Sequence, residues 1–152
     1  MNYLIAIFYK FIAYPLKQIY YFIFRPQTQG VKAIIQYQNS LLFIKNTYGY
    51  SFWNFPGGGV KSKESPKKAI SREVEEEVGL KLKKINFCGS FVNKSEYKRD
   101  SVYVFYVKTD NPNFRIDPKE IKEAKWIKIK QIKSLSLRPV VKKSLELAKI
   151  SF

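Results

Sequence analysis

The chain has 152 residues, 45% of them apolar and 16% aromatic, enough for one domain with a real core and too much apolar content for a disordered protein. Lys and Arg number 28 against 12 Asp and Glu, a net charge of +16 that attracts phosphate-bearing partners such as nucleotides, RNA or an anionic membrane surface. There is no histidine and a single cysteine, Cys88, so Ser-His-Asp, Cys-His and histidine-zinc chemistry are excluded, as is an intrachain disulfide. Any general base is therefore a carboxylate, an amine, a phenolate or a metal-bound hydroxide, and a reducing compartment, the cytoplasm, is the simplest setting.

Residues 3–24 read YLIAIFYKFIAYPLKQIYYFIF. No uncharged apolar run reaches the roughly 18 residues of a spanning helix, and a cationic leader with a small-residue cleavage site is missing. Lys10, Tyr14, Lys17 and Tyr21 share one helical face with Gln18 beside it, which predicts an amphipathic helix with a wide apolar side, kinked near Pro15. Two uses of that side stay open: peripheral contact with the inner face of a membrane, or packing on the rest of the chain or on a second subunit in a homodimer.

Arg25-Pro26 ends this segment, so the chain divides into residues 1–27 and a domain over 28–152. Val31 to Gln38 and Leu41 to Lys45 are expected strands joined by a tight polar turn, and Trp53 is expected in the core. Further strands are expected over Lys83 to Val92 and Ser101 to Thr109, with Cys88 as a small core residue. Phe114 to Ala124 reads as loop, Lys125 to Lys130 as a last strand, and Leu135 to Ile150 as a turn followed by an amphipathic helix using Val140, Leu145 and Leu147. The mixture of hairpins and interspersed helices is α+β in style.

The stretch between these strands carries the chemistry. Residues 57–80 hold five of the twelve acidic residues, a cluster against the prevailing charge. Ser65 and Pro66 start a helix and Gly79 stops it. Along it Ile70, Val74 and Val78 form an apolar stripe, while Glu73, Glu76 and Glu77 crowd a neighbouring face at i, i+3 and i+4. Like charges at this spacing oppose the helix unless a positive charge sits among them. Hard carboxylate oxygens suit Mg²⁺, or Mn²⁺, with positions left for water and substrate phosphate. Glu75 points away from the three and is expected in solvent.

Counted from Gly58, the residues Glu64, Arg72, Glu73, Val74, Glu76, Glu77, Gly79 and Leu80 fill every fixed position of G-x5-E-x7-R-E-U-x-E-E-x-G-U, where U is a bulky aliphatic residue. The chain thus resembles the Nudix hydrolases, and Trp53, three residues before Pro56-Gly57-Gly58, extends the likeness upstream. The resemblance implies an α/β/α sandwich around a mixed sheet over about residues 28–150, with the N-terminal amphipathic helix added. It implies Glu73, Glu76, Glu77 and the Gly57 carbonyl as metal ligands, and Arg72 with Glu64 as the pair that orients the glutamates. The family commonly has glycine where Lys63 stands. Many members also carry a loop glutamate near the place of Glu120, acting as base or ligand; Glu123 and Asp117 are lesser candidates.

The implied reaction is Mg²⁺-dependent hydrolysis of a phosphoanhydride bond in a nucleoside diphosphate linked to another moiety, with Glu73 or Glu120 accepting the proton. Two alternatives are kept: an RNA 5′-end pyrophosphohydrolase, which the charge favours, and a non-catalytic nucleotide-binding module. Tyr97 resembles a tyrosine that marks dinucleoside-polyphosphate hydrolases.

Overall fold

Alternation in Val31-Lys32-Ala33-Ile34-Ile35 commits this strand to two buried faces, and the rest of the fold supplies a layer for each. The computed structural model describes residues 12–24, 27–48, 52–94 and 99–151. In chain order the elements are α1 (Tyr14–Phe24), β1 (Gln27–Tyr37), β2 (Ser40–Asn46), α2 (Pro66–Val78), β3 (Asn86–Asn93), β4 (Arg99–Lys108), β5 (Ile121–Lys128), a 3₁₀ turn (Ile129–Ser134) and α3 (Pro139–Leu147). The strands form one sheet in the order β3-β4-β1-β2-β5. The β1/β4 pair is parallel from Gln27↔Arg99 to Gln36↔Lys108, and the other pairs are antiparallel.

One face of the sheet packs Val31, Ala33, Ile35, Leu42 and Ile44 against Ile70, Val74 and Val78 of α2. The other packs Ile34, Leu41, Phe43 and Val104 against Val141 and Leu145 of α3. The sandwich expected from the resemblance is therefore present, with a mixed sheet between the two helices. Its two cores are fully buried at most positions, and each large aliphatic side chain so buried contributes roughly 1.5–3 kcal/mol.

Several boundaries differ from the sequence reading for identifiable reasons. The segment Phe114 to Ala124 is not all loop: β5 begins at Ile121, which is fully buried and pairs with Asn46. Alternating charges hid it, because Glu123 is ion-paired to Lys45 of β2 at 2.8 Å across the strands rather than solvated. On α3 the buried positions are Val141, Ser144 and Leu145, with Val140 and Leu147 partly buried at the edges. Trp53 and Cys88 are both partly buried beside the α3-side core, and the Lys45 ammonium lies 4.1 Å from the Trp53 ring centre.

The α-helical part of the N-terminal segment is Tyr14–Phe24, with Pro15 as its second residue. Lys10 and Tyr97, singled out in the sequence, lie outside the described residues, and so does the stretch before Ile12 that a kink at Pro15 would redirect. On the apolar side of α1, Leu16, Ile19 and Ile23 are 61%, 56% and 63% exposed.

Candidate active site

The site is built where β1 and β2 part. They pair near the turn, at Gln36↔Leu41 and Tyr37↔Ser40, and beyond it the segment Asn54 to Val60 runs against both strands. Asn54 exchanges two backbone hydrogen bonds with Ile44, at 2.9 and 2.8 Å. Ala33 N–H donates to Pro56 O at 2.9 Å, Val31 N–H to Gly58 O at 2.9 Å, and Val60 N–H to Gln29 O at 2.9 Å. The glycine elbow is thus an irregular extra strand stitched to β1, which is why its backbone is fixed.

Two of its glycines are required there. Gly57 has φ +134°, and a Cβ on it would run into the Val31 carbonyl. A Cβ on Gly58 would occupy the space of the Glu73 carboxylate. The glycines let helix α2 bring Glu73 directly against the elbow backbone.

Helix α2 is delimited as its sequence demands. The Ser65 hydroxyl accepts from Lys68 N–H at 3.3 Å, Pro66 is in the first turn, and Gly79 closes the helix in the left-handed region at φ +66°. Lys63 is also left-handed, at φ +62°, which gives the physical reason that glycine is common at this position in the family. Glu75 is exposed beside Lys81, as expected.

Arg72 organises the acidic face. Its Nε and Nη2 donate to the two oxygens of Glu64 at 2.9 Å each, Nη1 donates to Glu73 at 2.7 Å and Glu76 at 3.0 Å, and Nη2 also donates to Gly59 O at 3.0 Å. All five N–H donors of a guanidinium are therefore used. The Arg72 fork and the Lys61 N–H together hold the Glu64 carboxyl down to about 2, well below its ordinary value. Hydrogen bonding to Glu64, more than any other contact, raises the affinity of Arg72 for its proton.

Glu77 is different in kind. It is 3% exposed, and its Oε2 accepts from Gly57 N–H at 2.8 Å. Its other oxygen has no hydrogen-bond donor among the described residues. Burial pushes its carboxyl up to about 7, against the pull of Lys32 and the Gly57 N–H; Glu73 and Glu120 add repulsion. Glu73 is mostly covered, with 13% of its side chain exposed, whereas Glu76 stands at the rim at 48%.

Glu120 belongs to this group by position. The loop that carries it is tied to the end of α2, with Arg115 N–H donating to Val78 O at 3.0 Å and Asp117 N–H to Glu77 O at 3.1 Å. Thr47 N–H donates to Glu120 O at 2.8 Å, and the Glu120 charge is felt at Glu77. Glu123 is engaged by Lys45, and the Asp117 carboxylate accepts from Lys119 N–H at 2.9 Å.

Among the described residues no three acidic side chains converge into a closed metal cage. The arrangement is an open one: Arg72 lies between Glu73 and Glu76, and Glu77 is held to the elbow through one oxygen only. The donors Glu73, Glu76, Glu77 and Gly57 O are all hard oxygens, and a buried carboxylate oxygen with no donor is what a divalent cation would satisfy, so this set fits Mg²⁺ or Mn²⁺.

Sequence reasoning missed Lys32. Its ammonium donates to Phe55 O and Gly57 O, both at 3.1 Å, so it engages the carbonyl assigned to the metal; burial lowers its pKa. The available signal was a lysine inside the strand Val31 to Ile35, whose other members are fully buried. Beside it, a cavity of about 440 Å³ is lined by Gly30, Lys32, Asn54, Gly58, Asp100 and Arg138 among others.

A carboxylate face held by one arginine against a glycine elbow, on a sheet sandwiched between two helices, defines a Nudix-type site. The NUDIX domain model matches residues 25–148, and the chain belongs to that family. An RNA pyrophosphohydrolase of Saccharophagus degradans is 51% identical over 43 residues, 28% of this chain and 25% of that protein. An 8-oxo-dGTP diphosphatase of Buchnera aphidicola is 36% identical over 89 residues, 59% of this chain and 65% of that protein. The chain thus spans a quarter to just under two thirds of the length of these curated relatives. The NUDIX domain of Shewanella oneidensis NrtR, solved with ADP ribose, superposes with a TM-score of 0.73 at 17% identity, over 84% of this chain and 89% of that one; this likeness concerns the fold.

Proposed function

We propose that the chain is a Mg²⁺-dependent hydrolase cleaving a phosphoanhydride bond in a nucleoside diphosphate linked to another moiety, working in the cytoplasm. The observation that carries this reading is the buried Glu77 carboxylate, held to the glycine elbow through one oxygen, with no donor to the other among the described residues, and under the repulsion of Glu73 and Glu120. Residues 28–152 form the hydrolase domain in this reading, and residues 1–27 are an appended segment.

Glu73, Glu76, Glu77 and the Gly57 carbonyl would hold the cation, which when bound neutralises phosphate charge and acidifies bound water. The chain's own residues do the rest. Arg72 fixes Glu73 and Glu76 in one orientation and is itself fixed by Glu64, so the carboxylates need not reorganise during reaction. Glu120 or Glu73 accepts the proton of the attacking water. The cavity beside the elbow takes the nucleotide, with Lys32 and Arg138 supplying positive charge in its wall.

A second reading, action on the 5′ end of RNA, is favoured by the +16 charge and by the names of relatives such as the Saccharophagus degradans protein. The test is a turnover screen with Mg²⁺ over ADP-ribose, dinucleotides, dinucleoside polyphosphates, nucleoside triphosphates and triphosphorylated RNA. Turnover of a small nucleotide, lowered at least about 10²-fold in Glu76→Gln with the fold intact, supports the first reading. Cleavage of RNA alone, falling steeply with salt, supports the second. Nucleotide binding without turnover of any substrate leaves a non-catalytic module, and full activity in Glu76→Gln removes the metal assignment.

A further inference from the structure

The site described above makes no use of α1, yet six of the nine large exposed apolar residues among those described lie in residues 12–24. They are not scattered. At about 100° per residue, Leu16, Ile19, Tyr20, Phe22 and Ile23 fall within an arc of roughly 160°, and Ile12 just before the helix continues it. Tyr14 and Lys17, on the opposite side, are half-buried. Among the described residues of α1, the apolar side is therefore the exposed one.

The net charge discriminates between occupants for such a face. Two copies of a +16 chain repel each other as they approach, whereas an anionic surface attracts each copy. With 11 residues α1 is too short to span a bilayer, and no described helix is long and apolar enough to cross one. An arc of aliphatic residues bordered by Tyr and Phe on a cationic protein is the composition of a helix that lies in the membrane interface.

We propose that α1 docks the protein on an anionic lipid surface, lying in the plane of the interface with Leu16, Ile19 and Ile23 among the acyl chains and the basic domain drawn toward the headgroups. Apolar burial and charge attraction act together, so neither alone holds the protein.

The experiment is co-sedimentation of the full chain with phosphatidylcholine vesicles, with and without phosphatidylglycerol. The expected result is binding to the anionic vesicles, weakened by salt, and weakened at least about tenfold in Leu16→Glu/Ile23→Glu at low salt. Ile19→Glu alone gives an intermediate loss. The substituted residues are exposed, so the thermal midpoint stays that of wild type and reports an intact fold. Three results overturn the proposal: no binding of wild type to anionic vesicles at low salt, binding of the double variant equal to wild type, or a wild-type dimer in ultracentrifugation that the same substitutions convert to monomer.

Discussion

In metal-free protein the burial of Glu77 is a stability cost that depends on pH, and Glu77→Gln isolates it. The carboxyl titrates near 4.5 in the unfolded chain and at about 7 in the folded one. Below pH 4.5 both states are protonated and there is no penalty. As pH rises the unfolded chain ionises first, so stability is lost progressively until the folded carboxyl also ionises near pH 7, after which it is flat. The full loss is roughly 3 kcal/mol, at about 1.4 kcal/mol per tenfold change in proton affinity, and most of it falls between pH 5 and pH 8. Glutamine keeps an oxygen for the Gly57 N–H and cannot ionise. Its amide N–H groups have no obvious partner in that place, a cost that is constant with pH and cancels when each protein is compared with itself. Urea unfolding in chelator at pH 5 and pH 8 should show wild type losing roughly 2–3 kcal/mol more than Glu77→Gln across that interval. Added Mg²⁺ should restore wild type at pH 8 and leave the variant unchanged. Parallel pH dependences in the two proteins would refute the assignment of Glu77 as a buried, cation-seeking carboxylate.

Three further outcomes follow from the same geometry. Arg72→Lys keeps the charge but replaces five donors in a planar fork with three on a point, so Glu73 and Glu76 lose their common orientation; kcat should fall by about 10²-fold with an unchanged circular dichroism spectrum. Lys63→Gly removes the strain of a side chain at φ +62° and should raise the thermal midpoint by a degree or more, a net gain of about 0.5 kcal/mol after the added freedom of the unfolded chain; a lower midpoint contradicts the left-handed conformation. Lys32→Met strips the donor from the Phe55 and Gly57 carbonyls and should destabilise metal-free protein by about 2 kcal/mol or more in urea unfolding, and Mg²⁺ should recover part of that loss by taking up the Gly57 oxygen.

What the sequence disclosed of this site, and what it withheld, follows the range of the interactions involved. Helix α2 was legible end to end because Ser65, Pro66 and Gly79 act within one turn of themselves, and the crowding of Glu73, Glu76 and Glu77 follows from their spacing on that helix. The elbow was legible as a glycine turn but not as a strand, since its hydrogen bonds go to Gln29, Val31 and Ala33, more than twenty residues away. The same distance hid Lys32, whose partners lie 23 and 25 residues on. The start of β5 was hidden by its charges: Lys122 and Glu123 read as loop until the partner strand supplies Lys45. Glu120 was reachable only by analogy of position, because what brings it beside Glu77 is a backbone tie between the loop at Arg115 to Asp117 and the end of α2.

The stitching of the elbow to β1 has a dynamic consequence. The amides of Val31, Ala33 and Val60 close the wall behind the carboxylates, and they do so as rungs of the central ladder, flanked by the ten-pair register with β4. That wall has no independent way to breathe: loosening it means unzipping the middle of the molecule. Motion that admits a substrate and releases its products therefore comes from other parts of the cleft, and the elbow acts as an anvil on which they close.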